Sequence, residues 1–396
     1  MRIIVILQNN PFVKSSAQNN RFLSISEGLI DNGANLKLLF VEGYRSNKEK
    51  AIFSKVGKFK RFEYEYINFI NYKYVLLRKV FNLINSPQKN SNRISAILKK
   101  DEKYDYLWLG ISSMIVNISK VLLKNDLSIK IFHERSEYSW IGLNNAELHK
   151  EYLNNILPKI NIFAVMTKAL EVYYKPFLNK GTQIIHLPMT VDFTRFSDPI
   201  KKLNIEKTYI AYCGTMNNRK DGVDILIKAF VGIMNEYPQI YLYLAGPKIP
   251  QEDYLRQKEI ISIHHATNKI IYLGNLSRED IPSFLLNAQI LVLSRPNSKQ
   301  AEGGFPTKLG EYLATGKPVC VTDVGEIQQY LSDKKSAFFA KPGCVESFAN
   351  AMRMALSSPA SESIGSEGKK VAQKYFNKDI QSKNLYTFLE LNRKNT

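Results

Sequence analysis

The stretch Ala301–Thr322, AEGGFPTKLGEYLATGKPVCVT, concentrates residue types suited to holding a phosphate group. Gly303 and Gly304 let the backbone approach a ligand closely. Pro306 suits the first position of a helix, where its missing N–H leaves no bond unmade. Leu309, Tyr312 and Leu313 then share one face directed at a core, which leaves Thr307, Lys308 and Glu311 on the other. A Gly-rich turn running into a helix N-terminus, with Thr307 and Lys308 in the first turn, is a place for a phosphate. Lys308 is otherwise misplaced there, because the positive end of the helix dipole disfavours cations. A helix capped for structural reasons alone is the rival reading.

A second constellation is SIKIFHERSEYSW, which sets His133, Glu134, Arg135 and Glu137 just past a predicted strand. Strand carboxyl ends in open α/β sheets face the ligand crevice, so these groups suit a polar acceptor site. A salt-bridged loop with a structural histidine is the alternative. Asn9, Asn10 and Lys14 follow the first predicted strand and offer further polar contacts. His149, His186, His264 and His265 have no partner pattern and read as structural or surface residues. Cys213, Cys320 and Cys344 form no C-x-x-C pair and no metal spacing, which suits a reduced, cytosolic setting.

These residues need a framework, and the chain supplies alternating strand-like runs and helical patterns. MRIIVIL, NLKLLFVE, YDYLWLG, SIKIFHE and NIFAVMT are short apolar runs separated by helices such as NRFLSISEGLIDNG. The pattern restarts at TYIAYC and continues through the helix DGVDILIKAFVGIMNEY, then YLYLAG, KIIYLGN, SREDIPSFLLNA, QILVLS and KPVCVT. Such alternation predicts parallel sheets, here in two consecutive Rossmann-like domains with a cleft between them. The polar joint SDPIKKLNIEK puts the division near residue 200, giving domains 1–200 and 201–396, with the last helix free to pack back on the first domain.

The chain has 396 residues, 44% of them hydrophobic, with 55 Lys and Arg against 36 Asp and Glu and a formal charge of +19. So large an excess speaks about partners, not fold. Tyr72–Lys100 carries seven basic residues and no acidic one, interleaved with apolar and aromatic side chains. That suits a basic amphipathic helix on an anionic membrane surface, against the alternative of an ordinary solvated helix face. The opening apolar run is too short for a secretory signal, and no stretch approaches the roughly 18 apolar residues of a spanning helix. A cytoplasmic protein peripheral to the inner membrane surface is the expected setting.

With its flanking text, TYIAYCGTMNNRKDGVDILIKAF and IIYLGNLSREDIPSFLLNAQILVLS, the opening stretch resembles the nucleotide-sugar domain of glycosyltransferase family 4. The resemblance covers most of residues 205–375, and FAVMTKALEVYY with the Val191, Asp192 and Phe196 element extends it weakly upstream. It implies a GT-B fold, two Rossmann-like domains with parallel sheets facing across a cleft. It also implies a retaining transfer of a sugar from a nucleotide-diphosphate sugar to a glycan or lipid-linked acceptor. The setting it suggests is cell-surface polysaccharide or glycolipid synthesis.

Residue by residue, the resemblance implies that Glu311 is the second glutamate of the family's E-x7-E element and binds the donor ribose. The backbone of Phe305–Leu309, with Thr307, would receive the diphosphate, and Gly214, Asn275 and Leu276 would add loop contacts. Thr215 stands where the family has an arginine. Lys220 matches the family's lysine, with Arg219 as substitute for that arginine, and two such cations would stabilise the departing diphosphate. Counting back from Glu311 lands on Gly303, so Glu302 is displaced by one from the first glutamate, whose position touches the transferred sugar. A functional histidine is implied near His133. The family needs no metal for diphosphate binding, no D-x-D motif is present, and the nucleotide-sugar is a substrate, so no cofactor and no metal are expected.

Other classes fare worse. No helix-turn-helix, zinc-finger or RNA-recognition signature accompanies the charge, so no nucleic-acid partner is expected. No G-x-G-x-x-G run follows a strand, which argues against a dinucleotide-dependent oxidoreductase. A non-catalytic nucleotide-sugar binder remains the alternative.

Overall fold

Short apolar runs rich in Ile, Leu, Val and aromatic residues become the strands of two sheets in the computed structural model. The structure describes residues 1–396 apart from 14–15, 69–85, 101–103, 125–126, 144, 198–202, 248 and 395–396. The chain divides into two compact units, Met1–Leu187 with Gln381–Thr396, and Pro188–Ile380.

The first unit holds β1 (Arg2–Leu7), β2 (Asn35–Phe40), β3 (Val56–Phe59), β4 (Phe62–Tyr66), β5 (Tyr106–Leu109), β6 (Lys130–Arg135), β7 (Ile162–Val165) and β8 (Gln183–His186). They lie in the order β3-β4-β2-β1-β5-β6-β7-β8. Only the β3–β4 pair is antiparallel. Ile3 pairs with Leu36 on one side and Tyr106 on the other, so β1 is central and buried on both faces. That burial explains why its sequence is a continuous apolar run and does not alternate. The helix expected from Asn20 begins earlier, at Ala17, because Ser16 caps it by accepting the Asn19 N–H at 3.2 Å.

The second unit holds β9 (Thr208–Cys213), β10 (Ile240–Ala245), β11 (Ile270–Gly274), β12 (Ile290–Leu293), β13 (Val319–Thr322) and β14 (Phe338–Ala340). All its pairings are parallel, in the order β11-β10-β9-β12-β13-β14. The single helix expected after β9 is two, Asn218–Asp221 and Val223–Val231. Gly222, at φ +65°, breaks them, and a Cβ there would overlap the Ser294 carbonyl.

The boundary falls earlier than residue 200. Met189 and Val191 pack so tightly on the helix Thr307–Thr315 that Gly310 has no room for a Cβ. Val191 also exchanges backbone bonds with the C-terminal region, its N–H donating to Phe376 O at 2.7 Å and its carbonyl accepting from Lys378 at 3.0 Å. The segment before residue 200 therefore belongs to the second unit.

The last helix, Lys378–Lys394, contributes Leu385 and Leu389 to the core of the first unit, where both are fully buried. Tyr106 donates its hydroxyl to the Leu389 carbonyl at 2.6 Å. Of the basic segment, Tyr72–Asn85 lies outside the described residues. Pro87–Lys100 is a helix that buries Asn90, Ser91 and Ile94 and carries Lys99 and Lys100 in its last turn. Among the described residues no helix is long and apolar enough to cross a membrane. Leu389→Ala should cost about 2–5 kcal/mol, the range for a large core truncation, and urea unfolding followed by circular dichroism measures it.

Candidate functional site

In the second unit the strand order reverses beside β9, whose neighbours β10 and β12 lead off in opposite directions along the sheet. Open parallel sheets form their ligand crevice at the carboxyl ends of the strands around such a switch point. The carboxyl end of β9 supplies Tyr212, Cys213, Gly214 and Thr215, and that of β12 supplies Ser294 and Arg295. The helix Thr307–Thr315 reaches the same place. Tyr312 fixes it there, its hydroxyl accepting from the Cys213 N–H at 2.7 Å.

Lys308 resolves the problem its sequence position raises. Its ammonium turns into the unit, with only 17% of the side chain exposed, and meets Asp221 Oδ2 at 2.8 Å. It also donates to the Tyr212 hydroxyl at 3.0 Å and lies over that ring. Asp221 accepts two more bonds on the same oxygen, from Tyr212 at 2.9 Å and Thr215 at 2.8 Å. Burial, the largest influence, would raise the Asp221 carboxyl, yet Lys308 and the two hydroxyls hold it below its usual range. Burial lowers the Lys308 amine, opposed by Asp221, while Arg295 and Lys220 add repulsion. Lys308 is the cation seated against the Gly214 loop, and Arg295 and Lys220 lie near enough to act on its charge. A Cβ on Gly214 would overlap the Lys308 ammonium, so this glycine is required by a close approach.

The remaining sequence candidates in this unit separate. Pro306 is extended, at ψ 108°, so it caps the helix and Thr307 is the first helical residue. Thr307 is half-buried, while Leu309 faces the core as expected. Phe305 is buried against Tyr330 and Phe376, so its side chain serves the core. Gly304 gives its carbonyl to Arg295 at 2.8 Å. Glu302 and Gly303 belong to a short helix, Lys299–Gly303, and Glu302 pairs with Lys299 at 2.8 Å. Glu311 pairs with Arg195, which also donates to the Arg278 carbonyl at 3.0 Å. Lys220 is half-buried and Arg219 exposed on the helix after Gly214. Asn275 is exposed and Leu276 half-buried in the loop after β11. Burial, with Glu311 adding to it, pushes the Cys213 thiol up to about 12, so it stays protonated.

The first unit corrects three locations, since His133, Glu134 and Arg135 all lie within β6 and only Glu137 follows it. His133 lies inside β6, not past it, and is 2% exposed. Nδ1 meets the Leu109 carbonyl at 2.7 Å and Nε2 the Tyr152 hydroxyl at 2.8 Å. A neutral ring satisfies both, donating from Nδ1 and accepting at Nε2. Burial, aided by the Arg135 charge, lowers His133 to about 3. Glu134 pairs with Arg21 at 2.8 Å. Glu137 is half-buried, and its carbonyl accepts from Arg135 at 2.9 Å. Asn10 is buried, donating to the Tyr66 hydroxyl at 2.8 Å. Lys14 lies outside the described residues. Among the described residues no cluster of three His, Cys, Asp or Glu side chains is placed to hold a metal ion.

Four participants were not picked out from sequence: Tyr212, Asp221, Arg195 and Arg295. Asp221 and Arg295 carried a usable signal, since each follows closely on a strand that ends at the switch point. Arg195 carried a weaker one, inside the Val191–Phe196 element.

Residues 194–371 match the family described as "Glycosyl transferases group 1". No curated protein sequence matches. Solved structures do. Sucrose-phosphate synthase from Thermosynechococcus elongatus superimposes with a TM-score of 0.75 at 17% identity, over 98% of both chains. A glycosyltransferase from Rickettsia africae gives 0.74 at 16%, covering 100% of this chain and 99% of the other. Anabaena HepE in complex with UDP and glucose gives 0.73 at 13%, covering 99% and 100%. The fold is GT-B. Identity this low carries the architecture alone.

The depressed His133 yields a pH effect of definite sign. Its folded value lies below the ordinary 6.5, so stability is full above that value and falls as acid forces a proton onto the buried ring. The slope should approach about 1.4 kcal/mol per pH unit between about pH 6 and about pH 4. Asp221, depressed from its ordinary 3.8, adds its own loss only below that value. Chemical denaturation across this range should give a flatter curve for His133→Gln, which keeps a donor and an acceptor but does not titrate.

Proposed function

We propose that the chain is a retaining glycosyltransferase that moves a sugar from a nucleoside-diphosphate sugar to a glycan or lipid-linked acceptor. The observation that carries this reading is the seating of Lys308 against the Gly214 loop at the switch point of the second sheet, with Lys220 and Arg295 near enough to act on its charge. A diphosphate acquires charge as it leaves, and cations already fixed there stabilise that charge without reorganising. The family match over residues 194–371 supports the same activity. HepE, of the same fold, has been solved in complex with UDP-glucose.

In this reading Lys220 faces the diphosphate, and Lys308, held inward by Asp221, tunes the field there. Thr215, in place of an arginine, serves by bonding Asp221, which steadies Lys308. Glu311 exchanges Arg195 for the ribose hydroxyls. Because protein cations supply the positive charge, no metal is required. The departing phosphate itself takes the acceptor proton, so no protein nucleophile is assigned. The basic Tyr72–Lys100 segment suits the anionic inner face of a membrane, where lipid-linked surface-glycan precursors are built.

A thermal-shift screen against UDP-, GDP-, dTDP- and CMP-sugars tests the donor site. A matching donor at 100 times its Kd should stabilise the fold by about 2.7 kcal/mol. Lys220→Ala and Glu311→Ala should blunt that shift. The donor site is elsewhere if no nucleotide-sugar shifts the wild type, or if both variants respond as the wild type does. Co-sedimentation with phosphatidylglycerol vesicles should fall as salt rises, and equal binding to neutral vesicles would remove the electrostatic membrane role.

A further inference from the structure

One buried cation in the first unit has no ion-pair partner among the described residues, and only the neighbouring charge of Glu134 acts on it. Arg135, the last residue of β6, is 6% exposed. Its Nε donates to the Tyr174 hydroxyl at 3.3 Å and Nη2 to the Glu137 carbonyl at 2.9 Å, both oxygens without formal charge. The carboxylate of its chain neighbour Glu134 is taken by Arg21 at 2.8 Å. Arg135 forms no ion pair with any described acid, and Nη1 makes no hydrogen bond to the described residues. The guanidinium cannot relieve the situation by losing its proton at any working pH.

An uncompensated buried charge is among the costlier features a fold can carry, and the cost falls away when an opposite charge arrives. The position is equally specific. Arg135 stands at the carboxyl end of a parallel strand, the end where open α/β sheets bind ligands. In the loop that follows, Trp140 remains 42% exposed although it is a large aromatic, stacked on Tyr138 with ring centroids 5.6 Å apart. Trp140 follows Arg135 by five residues, so this segment carries an exposed apolar face as well as a buried cation.

We propose that Arg135 binds an anionic group, a phosphate or a carboxylate carried on a sugar, and that Trp140 packs against that sugar ring. Under the transferase reading this makes the acceptor an acidic sugar, a deepening that rests on that reading for the word acceptor. The anion binding does not depend on it. Guanidinium presents its N–H groups in a planar fork that matches either oxyanion, so the two sources share one chemistry. The desolvation of the cation is already complete in the free protein, so the ligand meets a preorganised contact.

Melting temperatures decide it, taken in a Lys220→Ala background so that phosphate at the second unit contributes little. The ligands are inorganic phosphate, glucose 6-phosphate, glucuronate and glucose, at constant ionic strength set with chloride. At least one of the three anions should raise the melting temperature, and glucose alone should not. The glucuronate and phosphate arms tell carboxylate from phosphate. Arg135→Gln should lose at least half of the shift, and Arg135→Lys should retain part of it. Because the lost charge has no ion pair among the described residues, Arg135→Gln should melt close to its parent in anion-free buffer. If Arg135→Gln does not fold, the weakened response of Arg135→Lys carries the comparison. The proposal is overturned if no anion shifts the parent, or if the substituted protein keeps the full shift. A nucleotide-sugar shift measured on the protein with Lys220 intact, and unchanged by Arg135→Gln, separates this outcome from failure of the donor site.

Discussion

The buried pair between Lys308 and Asp221 holds the second unit's site together. It links the first turn of the helix Thr307–Thr315 to the short helix after β9, and both hydroxyls around it, from Tyr212 and Thr215, point at the same carboxylate oxygen. Breaking a pair of this kind by removing one partner leaves a buried charge and costs about 3–5 kcal/mol. The Gly214 backbone is shaped by it, because the ammonium fills the space a side chain would need. A lysine that the helix dipole disfavours is therefore kept by a carboxylate contributed from another element. The neighbouring Lys220 and Arg295 leave the loop with more positive charge than that one carboxylate cancels.

The two units share a sheet logic but hold polar groups differently. Around Gly214 the groups are charged and bound to one another through Asp221. At the end of β6 they are mostly neutral and aromatic. His133 meets Tyr152 and the Leu109 carbonyl, while Tyr174 accepts from Arg135 and donates to the Glu137 carbonyl. A neutral, hydrogen-bonded histidine is a stiff support for the strand end that carries Arg135.

Much of the fold was legible because parallel strands buried on both faces must be apolar throughout. TYIAYC became β9 with its ends unchanged, and MRIIVIL became β1 apart from Met1. Boundaries failed where a single residue overrode the pattern. Ser16 started a helix early, Gly222 split another, and Val191 drew the segment before residue 200 into the second unit. The site was legible as a set of elements but not as a set of partners. That Lys308 belongs with Asp221, or Glu311 with Arg195, depends on contacts 87 and 116 residues apart in sequence, which no local spacing encodes. His133 lies two residues before the end of β6, and the burial of its ring there depends on Leu109 and Tyr152, which the local sequence does not reveal.

Binding of a nucleoside diphosphate compared with the matching monophosphate, by calorimetry on the wild type and on Lys220→Met, measures whether a cation beside the Gly214 loop faces a diphosphate. The diphosphate should bind at least about tenfold tighter, the equivalent of ~1.4 kcal/mol, and the difference should collapse in the variant. Equal affinity for the two nucleotides, or a preference untouched by the loss of Lys220, would contradict a diphosphate site at the Gly214 loop.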